Sequence, residues 1–453
     1  MINKTIQEVA LYLNAPCIQD ENNPKIHGVC IDSRQVQPDN LYIPIEGQRV
    51  DGHSFIENVR SAGCQASLWQ KDHKPYPKNM ALVLVDDTTK ALQRLAKAYL
   101  ASLSCTVIAV TGSNGKTSCK DMLYSIFSQE KKTQKTQGNR NNEIGLPLTI
   151  LDFDEDIEIA ILEMGMENKG EIAFLCSIAP PDISIITTIG SAHMENLGGK
   201  KQIAQAKLEI LEHLKPGGLF LYDKESPEID ECLQEMSLDP SKKIVSFGHG
   251  GDVLLTSDIE TKEDHIEFIC SCLEDKVVLH SLGAIQASNA LPCIYIGLYC
   301  GLQEKSILKG LRNLTMTKMR MQLIKSNGFT ILDDSYKSNP ESAKAAIDAL
   351  VSLPVSFRVA CLADMLDLGP TEQKLHYEIG EYASKMKIDV LYGYGALTKF
   401  TVEGFNGPEK AWFETKDEMI EHLQQYKDQD CAILVKGSRA MAMDEVVTAL
   451  KGE

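Results

Sequence analysis

The middle of the chain alternates between short apolar segments and amphipathic segments. Helical patterns follow the apolar segments, notably over residues 117–127 and 202–213. The apolar segments, each of strand length, are TVIAV, IEIAIL, ISIITTI and GGLFL. Continuous apolar strands separated by helices are typical of a parallel sheet covered on both faces. This pattern predicts a central domain with a parallel sheet.

The same alternation starts again near residue 319. Strand-like FTILDD, FRVACLA, VLYGYG and CAILVKG are separated by helical patterns over residues 341–353, 373–387, 416–425 and 443–450. This region predicts a second, separate α/β domain of Rossmann-like type. Between the two, residues 243–280 resemble antiparallel strands, and helices are expected near residues 289–302 and 304–311.

The first 86 residues mix short strands with turn signals such as Pro38-Asp39-Asn40 and Asp51-Gly52. A helical pattern then runs over residues 88–103. We therefore predict an α/β protein of three domains: a small N-terminal α/β domain (1–86), a central parallel-sheet domain (87–312) and a C-terminal Rossmann-like α/β domain (313–453). A length of 453 residues agrees with about three domains at ~150 residues each.

Composition narrows the class of protein. Apolar residues make up 43% and charged residues 24%, as in soluble globular proteins, and the net charge is −17. This charge argues against nucleic acid and anionic membranes as partners. An anionic ligand would have to meet local basic groups and backbone amides.

The 13 cysteines form no C-x-x-C pair, which disfavours a zinc site or a disulfide framework and favours a reducing compartment. The start, MINKTIQEVALYL, lacks the apolar core of a signal peptide. The longest apolar run, residues 290–302, is too short to span a bilayer. We expect a cytoplasmic protein without membrane insertion, acting as a monomer.

The segment V-I-A-V-T-G-S-N-G-K-T, residues 107–117, predicts a phosphate-binding loop. A buried strand leads into two glycines, then Lys-Thr, then a helix. Glycines let backbone N–H groups turn inward, a lysine can reach the β- and γ-phosphates, and a hydroxyl can bind Mg²⁺. The usual first glycine is replaced by Val110, and the first glycine comes two residues later. The predicted nucleotide-binding residues are Thr111, Gly112, Ser113, Asn114, Gly115, Lys116, Thr117 and Ser118.

Two polar residues follow apolar strands, where open α/β sheets bind ligands. Glu163 ends IEIAILE, and His193 follows ISIITTIG. A carboxylate and an imidazole beside a phosphate loop suit Mg²⁺. Taken alone, Glu163 could equally be an ordinary strand end, and histidines in loops are more often not ligands. The polar loop over residues 137–143 could face the phosphates or be a solvated turn.

In their order along the chain, these motifs resemble those of the Mur ligase family. The resemblance covers all three domains: D-S-R-Q-V-Q-P-D-N-L-Y-I-P-I-E-G near the start, T-G-S-N-G-K-T, G-N-R-N-N-E-I-G-L-P and E-M-G-M-E-N-K-G-E-I in the middle, and D-D-S-Y-K-S-N-P, A-D-M-L-D-L-G and K-G-S-R-A-M-A-M-D-E-V-V in the last part. The match is closest to the branch that adds D-alanyl-D-alanine to UDP-N-acetylmuramoyl-tripeptide. It implies an ATP- and Mg²⁺-dependent amide ligase that works through an acyl phosphate in peptidoglycan precursor synthesis. Residues 1–86 would then form the substrate domain and residues 87–312 the P-loop-type ATPase domain.

The resemblance also implies roles for individual residues. Lys116, His193 and Lys207 would be catalytic, and Lys207 stands where the family has a lysine that is often carbamylated. The metal would be held by Thr117, Glu163, His193 and Lys207. The nucleotide would also meet Asn289, Arg320 and Asp334. The UDP-linked tripeptide and the dipeptide would meet Ser33, Arg34, Asn139, Asn142, Asn339 and Lys436.

The sequence departs from the family pattern at three places. Ile285 stands where the family has histidine, Lys337 interrupts the usual Tyr-Asn-Ala-Asn-Pro, and Ala363 replaces the glycine of Gly-Asp-Met. Two alternatives therefore stay open: an amide ligase of this family with another amine donor, or a nucleotide-binding protein without ligase activity.

Overall fold

The N-terminal part of the chain forms a five-stranded sheet with a small two-stranded partner. The computed structural model describes residues 1–47, 49–191 and 194–452. The sheet has the order β2-β7-β6-β5-β4 and is parallel apart from β2, and β1 pairs with β3. The elements are β1 (Asn3–Thr5), α1 (Ile6–Leu13), β2 (Cys17–Ile18), β3 (Lys25–His27), β4 (Val29–Cys30), β5 (Leu41–Tyr42), α2 (Ile56–Ser61), β6 (Ala66–Gln70), β7 (Ala81–Val85) and α3 (Thr88–Ser102), with a 3₁₀ turn at Gly52–Phe55.

The central region contains the predicted parallel sheet, six strands in the order β13-β12-β11-β8-β10-β9. Its elements are β8 (Thr106–Thr111), α4 (Lys116–Phe127), β9 (Thr133–Lys135), α5 (Gly145–Leu151), β10 (Ile159–Glu163), α6 (Glu171–Ile178), β11 (Ile183–Ile186), α7 (Met194–Leu197), α8 (Lys200–Leu208), β12 (Leu219–Asp223), α9 (Pro227–Glu235) and β13 (Lys243–Phe247), with a 3₁₀ turn at Glu209–Leu211. A three-stranded antiparallel sheet and two helices follow: β14 (Glu260–Thr261), β15 (Ile266–Phe268), β16 (Val277–Leu279), α10 (Ala284–Tyr299) and α11 (Glu304–Arg312).

The expectation for residues 243–280 is wrong for its first strand. β13 pairs in parallel with β12 and completes the central sheet, and antiparallel pairing begins only at β14. Val245 and Phe247 of β13 pack into the same core as β8 and β11. Burial on the sheet therefore decides the pairing of this strand, which its mixed sequence does not reveal.

The last part of the chain forms a second six-stranded sheet in the order β17-β18-β22-β19-β20-β21, parallel apart from β17. Its elements are β17 (Gln322–Ser326), β18 (Phe329–Asp334), α12 (Pro340–Ser352), β19 (Phe357–Ala363), α13 (Glu372–Lys385), β20 (Val390–Tyr394), α14 (Thr398–Gly404), β21 (Glu409–Phe413), α15 (Lys416–Leu423), β22 (Cys431–Lys436) and α16 (Asp444–Lys451), with 3₁₀ turns at Gly369–Thr371, Gln424–Tyr426 and Arg439–Met441. The α/β class predicted from the apolar pattern is confirmed.

The topology of the central sheet brings polar groups together at one edge. β8 lies between β10 and β11, and all three run in the same direction. Their carboxyl ends therefore meet, and the loop after β8 lies beside the end of β10. In the part of the chain that the structure describes, no helix has the length and apolar character needed to cross a bilayer.

Candidate active site

The turn between β8 and α4 is tight enough to require glycine at two positions. Gly112 and Gly115 have φ angles of 148° and 85°. A Cβ atom on Gly112 would lie 1.9 Å from Thr187 Oγ1, and one on Gly115 would lie 2.4 Å from Asn289 Oδ1. A side chain fits at neither position, so both positions require glycine if the loop is to pack this closely against Thr187 and Asn289.

Hydrogen bonds to the loop after β11 hold this phosphate loop in place. Ser113 N donates to Thr188 O at 2.8 Å, and Asn114 N donates to Thr188 Oγ1 at 3.1 Å. Lys116 Nζ donates to Gly112 O at 2.7 Å, so its ammonium lies over the loop. Helix α4 begins at Lys116, and its free N–H groups add partial positive charge. This geometry is suited to a phosphate chain.

Thr117 and Glu163 form the candidate metal centre. Thr117 Oγ1 donates to Glu163 Oε2 at 3.0 Å, and Asn141 Nδ2 donates to Glu163 Oε1 at 2.9 Å. Glu163 is only 3% exposed. Burial raises its pKa, but the ammonium groups of Lys120 and Lys116 oppose this, and the net pKa is below the usual value. An ionised carboxylate beside a hydroxyl is the hard oxygen donor set that Mg²⁺ prefers, so these residues fit that ion.

Three lysines from separate parts of the chain share the electrostatic surroundings of this centre. Burial and, to a smaller extent, the nearby Lys337 ammonium lower the pKa of Lys116 to about 8. Lys207 in α8 is 2% exposed, and burial lowers its pKa well below the usual value, with Lys116 and Lys337 as further causes. Lysine amines that interact this strongly favour a highly anionic ligand, whose charge stabilises their protonated forms.

The last part of the chain contacts the phosphate loop directly. Asn339 Nδ2 donates to Asn114 Oδ1 at 2.8 Å, and Asn114 Nδ2 donates to Asn339 Oδ1 at 3.3 Å. Two residues further on, Glu341 Oε1 accepts from the backbone N and the hydroxyl of Ser191 at 3.1 and 2.7 Å. The start of α12 therefore covers the loops that follow β8 and β11. Asn339, predicted to face the dipeptide, here contacts the phosphate loop.

Two other residues predicted for separate ligands form one ion pair. Lys436 Nζ lies 2.5 Å from Asp334 Oδ2 and donates to Lys337 O at 2.9 Å, and Lys436 is 1% exposed. Asp334 Oδ1 also accepts from Met321 N. The pair therefore fixes the ends of β18 and β22. The guanidinium of Arg320 lies 4.4 Å from the centre of the Tyr336 ring.

Four further residues were predicted to bind the nucleotide or the metal: Thr111, Ser118, Asn289 and His193. Thr111 and Ser118 are buried on either side of the loop, and the Thr111 hydroxyl has no hydrogen-bond partner among the described residues. Asn289 Nδ2 donates to Gln286 Oε1 at 3.2 Å behind Gly115. His193 lies outside the described residues.

The predicted substrate-binding residues outside this centre lie in turns. Ser33 and Arg34 follow β4, and Arg34 is exposed and paired with Asp32 at 2.7 Å. Asn139 and Asn142 are exposed, and Asn142 Oδ1 accepts from Gly145 N at the start of α5. The structure does not bring these four side chains into contact with Lys116 or Glu163.

Sequence reasoning missed three residues of the site. Asn141, between the two predicted asparagines, is the one that contacts Glu163. For Lys120 and Glu341 the sequence predicted only a helical position, and not the contacts that they make in the site. For Lys120 a signal existed, because it lies one turn beyond Thr117 on the same face of α4.

A separate cavity of about 500 Å³ lies at the opposite edge of the central sheet. Its lining includes Thr106, Ile159, Ile183 and Gly218, which start or precede the strands. None of the predicted site residues lines it, so it is distinct from the centre around Glu163.

Comparison with known proteins identifies the family. The chain matches three domain families: the Mur ligase family catalytic domain over residues 25–100, the Mur ligase middle domain over residues 110–297, and the Mur ligase glutamate ligase domain over residues 319–439. It is 39% identical to the UDP-N-acetylmuramoyl-tripeptide–D-alanyl-D-alanine ligase of Bacillus subtilis (strain 168), over 99% of each chain. The chain belongs to the Mur ligase family.

Solved Mur ligase structures agree along the full chain. The crystal structure of MurF from Acinetobacter baumannii superposes with a TM-score of 0.90 at 29% identity and covers 100% of both chains. MurF ligase from Thermotoga maritima, in complex with ADP, has a TM-score of 0.84 at 26% identity and covers 94% of this chain and 97% of its own. The family resemblance drawn from the motifs is confirmed.

Proposed function

We propose that the protein is the ATP-dependent ligase that joins D-alanyl-D-alanine to UDP-N-acetylmuramoyl-tripeptide in peptidoglycan precursor synthesis. The observation that carries this proposal is the junction of the phosphate loop, the Thr117–Glu163 pair and the Asn114–Asn339 contact. Here one triphosphate site meets an ionised oxygen donor set and a second domain. The B. subtilis relative, whose name states this reaction, supports the choice of substrates.

The chemistry explains why such a site is needed. A carboxylate is a poor electrophile because oxide would have to leave. Transfer of the γ-phosphoryl group of ATP to the tripeptide carboxylate creates a phosphate leaving group. The dipeptide amine then attacks the acyl carbon, and an amide and phosphate result. The first step depends mostly on positioning and on neutralising charge.

The residues of the site divide this work. The backbone of residues 111–118 and the Lys116 ammonium hold the β- and γ-phosphates. Thr117 and Glu163 would hold Mg²⁺, which when bound neutralises charge on the phosphates. His193 and a carbamylated Lys207 would hold a second ion. Lys207 is suited to carbamylation because burial lowers its pKa well below the usual value, which favours the neutral amine form that adds carbon dioxide.

Further parts of the chain bind the rest of the substrates. Asn289, Arg320 and Asp334 border the nucleotide, and the turn with Ser33 and Arg34 meets the uridine diphosphate. Asn139, Asn142, Asn339 and Lys436 border the peptide substrates. The proposed domains are residues 1–86 for the UDP-substrate, 87–312 for ATP and 313–453 for closing the cleft.

The proposed setting is the cytoplasm, with the protein acting as a monomer. All 13 cysteines are free, as expected in a reducing compartment.

Product analysis by mass spectrometry tests the function. The protein is incubated with ATP, Mg²⁺, a UDP-muramoyl-tripeptide and one amine from a panel of single amino acids and dipeptides. We expect phosphate release and a product one dipeptide heavier only with D-alanyl-D-alanine-type amines. Efficient ligation of a single amino acid would assign another branch, and nucleotide binding without product would exclude ligase activity.

A further inference from the structure

A buried lysine that the proposed reaction does not use lies against the candidate metal centre. Lys120 is 1% exposed, and its ammonium lies 3.4 Å from Glu163 Oε2. Among the side chains that the structure describes, Glu163 is the one carboxylate within 4.0 Å of it. Lys116, in contrast, donates to the loop carbonyl of Gly112. Lys120 therefore forms an ion pair with the carboxylate, whereas Lys116 donates a hydrogen bond to the loop.

The position of Lys120 follows from the helix that carries it. Thr117 and Lys120 are three residues apart in α4, so both side chains lie on the face turned toward the end of β10. Both reach the same carboxylate oxygen, because Thr117 Oγ1 donates to Glu163 Oε2 at 3.0 Å. The other oxygen accepts from Asn141. Donors on both oxygens fix the orientation of the carboxylate.

The positive charge of Lys120 affects how Glu163 can bind a divalent cation. A buried carboxylate is costly unless a counter-ion accompanies it, and Lys120 is that counter-ion before any metal arrives. A divalent cation bound to Glu163 would lie close to the Lys120 ammonium, and like charges repel strongly in a buried site. The triphosphate of ATP brings enough negative charge to offset this repulsion.

We propose that Lys120 is a positioning residue that keeps Glu163 oriented and excludes uncomplexed divalent metal, so that the metal enters only together with the nucleotide. This inference rests on the proposed function, since it takes Glu163 and Thr117 as metal ligands. It adds an order of binding: a bare ion does not occupy the site ahead of ATP.

Metal binding without nucleotide tests the proposal. Mn²⁺ serves as the probe, and free Mn²⁺ is measured by electron paramagnetic resonance during titration of the full-length protein. We expect Lys120→Met to bind Mn²⁺ at least about tenfold more tightly than the wild type, because the repelling charge is gone. Lys120→Arg, which keeps the charge, should match the wild type. Adding Glu163→Gln to Lys120→Met should abolish the tight site.

Lys135→Met is the matched control. Lys135 of β9 pairs at 2.6 Å with Asp121, which lies in α4 beside Lys120. Removal of the Lys135 ammonium should leave Mn²⁺ affinity within about twofold, because its partner is Asp121 and not Glu163. In the wild type, a non-hydrolysable ATP analogue should raise Mn²⁺ affinity to at least that of Lys120→Met. A role confined to folding would not produce tighter metal binding.

Unchanged or weaker Mn²⁺ binding in folded Lys120→Met overturns the proposal. Lys120→Gln is measured in parallel and must show the same tightening. If both neutral variants unfold in metal-free buffer, Mn²⁺ should restore folding by replacing the lost counter-ion, and failure to do so also overturns the proposal. The titration uses no peptide substrate. If the proteins show the expected Mn²⁺ binding but the wild type forms no ligation product, the proposed function is rejected and the inferred role of Lys120 is not.

Discussion

Asn339 and Asn114 exchange two amide hydrogen bonds, at 2.8 and 3.3 Å, although 225 residues separate them. Asn339 is also the N-cap of α12, since its Oδ1 accepts from Ser342 N at 2.9 Å. One side chain thus starts a helix of the last domain and contacts the phosphate loop of the central one. A nucleotide on that loop would meet this contact, which gives the last domain a direct way to respond to ATP.

The Asn114–Asn339 contact should appear as coupling between the two residues. Asn339→Ser keeps an N-cap but is too short to reach Asn114, so the variant should keep nearly full stability. We expect Asn114→Ala and Asn339→Ser each to lower kcat/KM for ATP. The double variant should lose about 1 kcal/mol less than the sum of the two. Strictly additive effects in this four-protein cycle would mean that the contact plays no part in catalysis.

Removal of the Lys116 ammonium should stop the reaction without unfolding the protein. The side chain lies over a ligand loop and bonds only loop carbonyls among the described residues, so the core does not depend on it. We expect Lys116→Met to lower kcat/KM for ATP by a factor on the order of 10² to 10³, with little change in melting temperature. Lys97→Met removes an exposed lysine of α3 and should retain full activity. Substantial turnover in Lys116→Met would contradict the assignment of the phosphate loop.

The parallel strands and the phosphate loop could be predicted because their signals are local. Apolar runs identify β8, β10 and β11, and Gly112 and Gly115 mark the turn. The neighbours of Glu163 are not local, because they depend on β10 lying next to β8. The spacing from Thr117 places Lys120 on the same face of α4, but a helical lysine is normally solvated, so its burial could not be inferred without that neighbour relation.

The conformation of a loop also limits which contacts of the site can be predicted from the sequence. Three asparagines lie within residues 139–142, and only the backbone path decides that Asn141 turns toward Glu163 while Asn142 accepts from Gly145 N. The partner of Asn339 depends on how two domains approach each other, which no pattern within either domain encodes. These contacts are set by tertiary structure, not by local sequence.

Carbamylation of Lys207 can be tested by chemical rescue. The amine is buried, burial strongly lowers its pKa, and no ion pair joins it to a carboxylate among the side chains that the structure describes. A carbamate would supply a negative charge there, so we expect Lys207→Ala to lose most activity. Formate or acetate should restore part of the ligation rate by occupying the vacated space. Lys207→Arg, which fills the space and stays positive, should not respond.

A control for this rescue is available on the same helix. Lys201 is paired with Glu235 near the surface at 2.7 Å, so Lys201→Ala should keep its activity and show no response to formate. Equal stimulation of all variants by carboxylates would indicate a general salt effect. A fully active Lys207→Ala would exclude any role for the carbamate.

His376 should make the stability of the protein fall in mild acid. It is 1% exposed, its Nε2 accepts from Met365 N at 2.9 Å and its Nδ1 donates to Glu372 O at 2.7 Å, which fixes a neutral ring. Burial lowers its pKa below the usual 6.5. Below pH 6.5 the unfolded state therefore binds a proton that the folded state does not, and the free energy of unfolding decreases as the pH falls. The limit is about 1.4 kcal/mol per pH unit for one such group.

Urea unfolding of His376→Gln at pH 7.5 and 5.5 checks this dependence. Fluorescence of Trp412 in the last domain reports the transition once Trp69 is replaced by phenylalanine in every protein compared. The glutamine carbonyl can still accept from Met365 N, but it takes up no proton. The wild type should therefore lose about 1 kcal/mol more than His376→Gln between the two pH values. His422→Gln, which changes an exposed histidine of α15, should follow the wild type. Parallel losses in His376→Gln and the wild type would assign the acid sensitivity to other groups, because only the buried ring was altered.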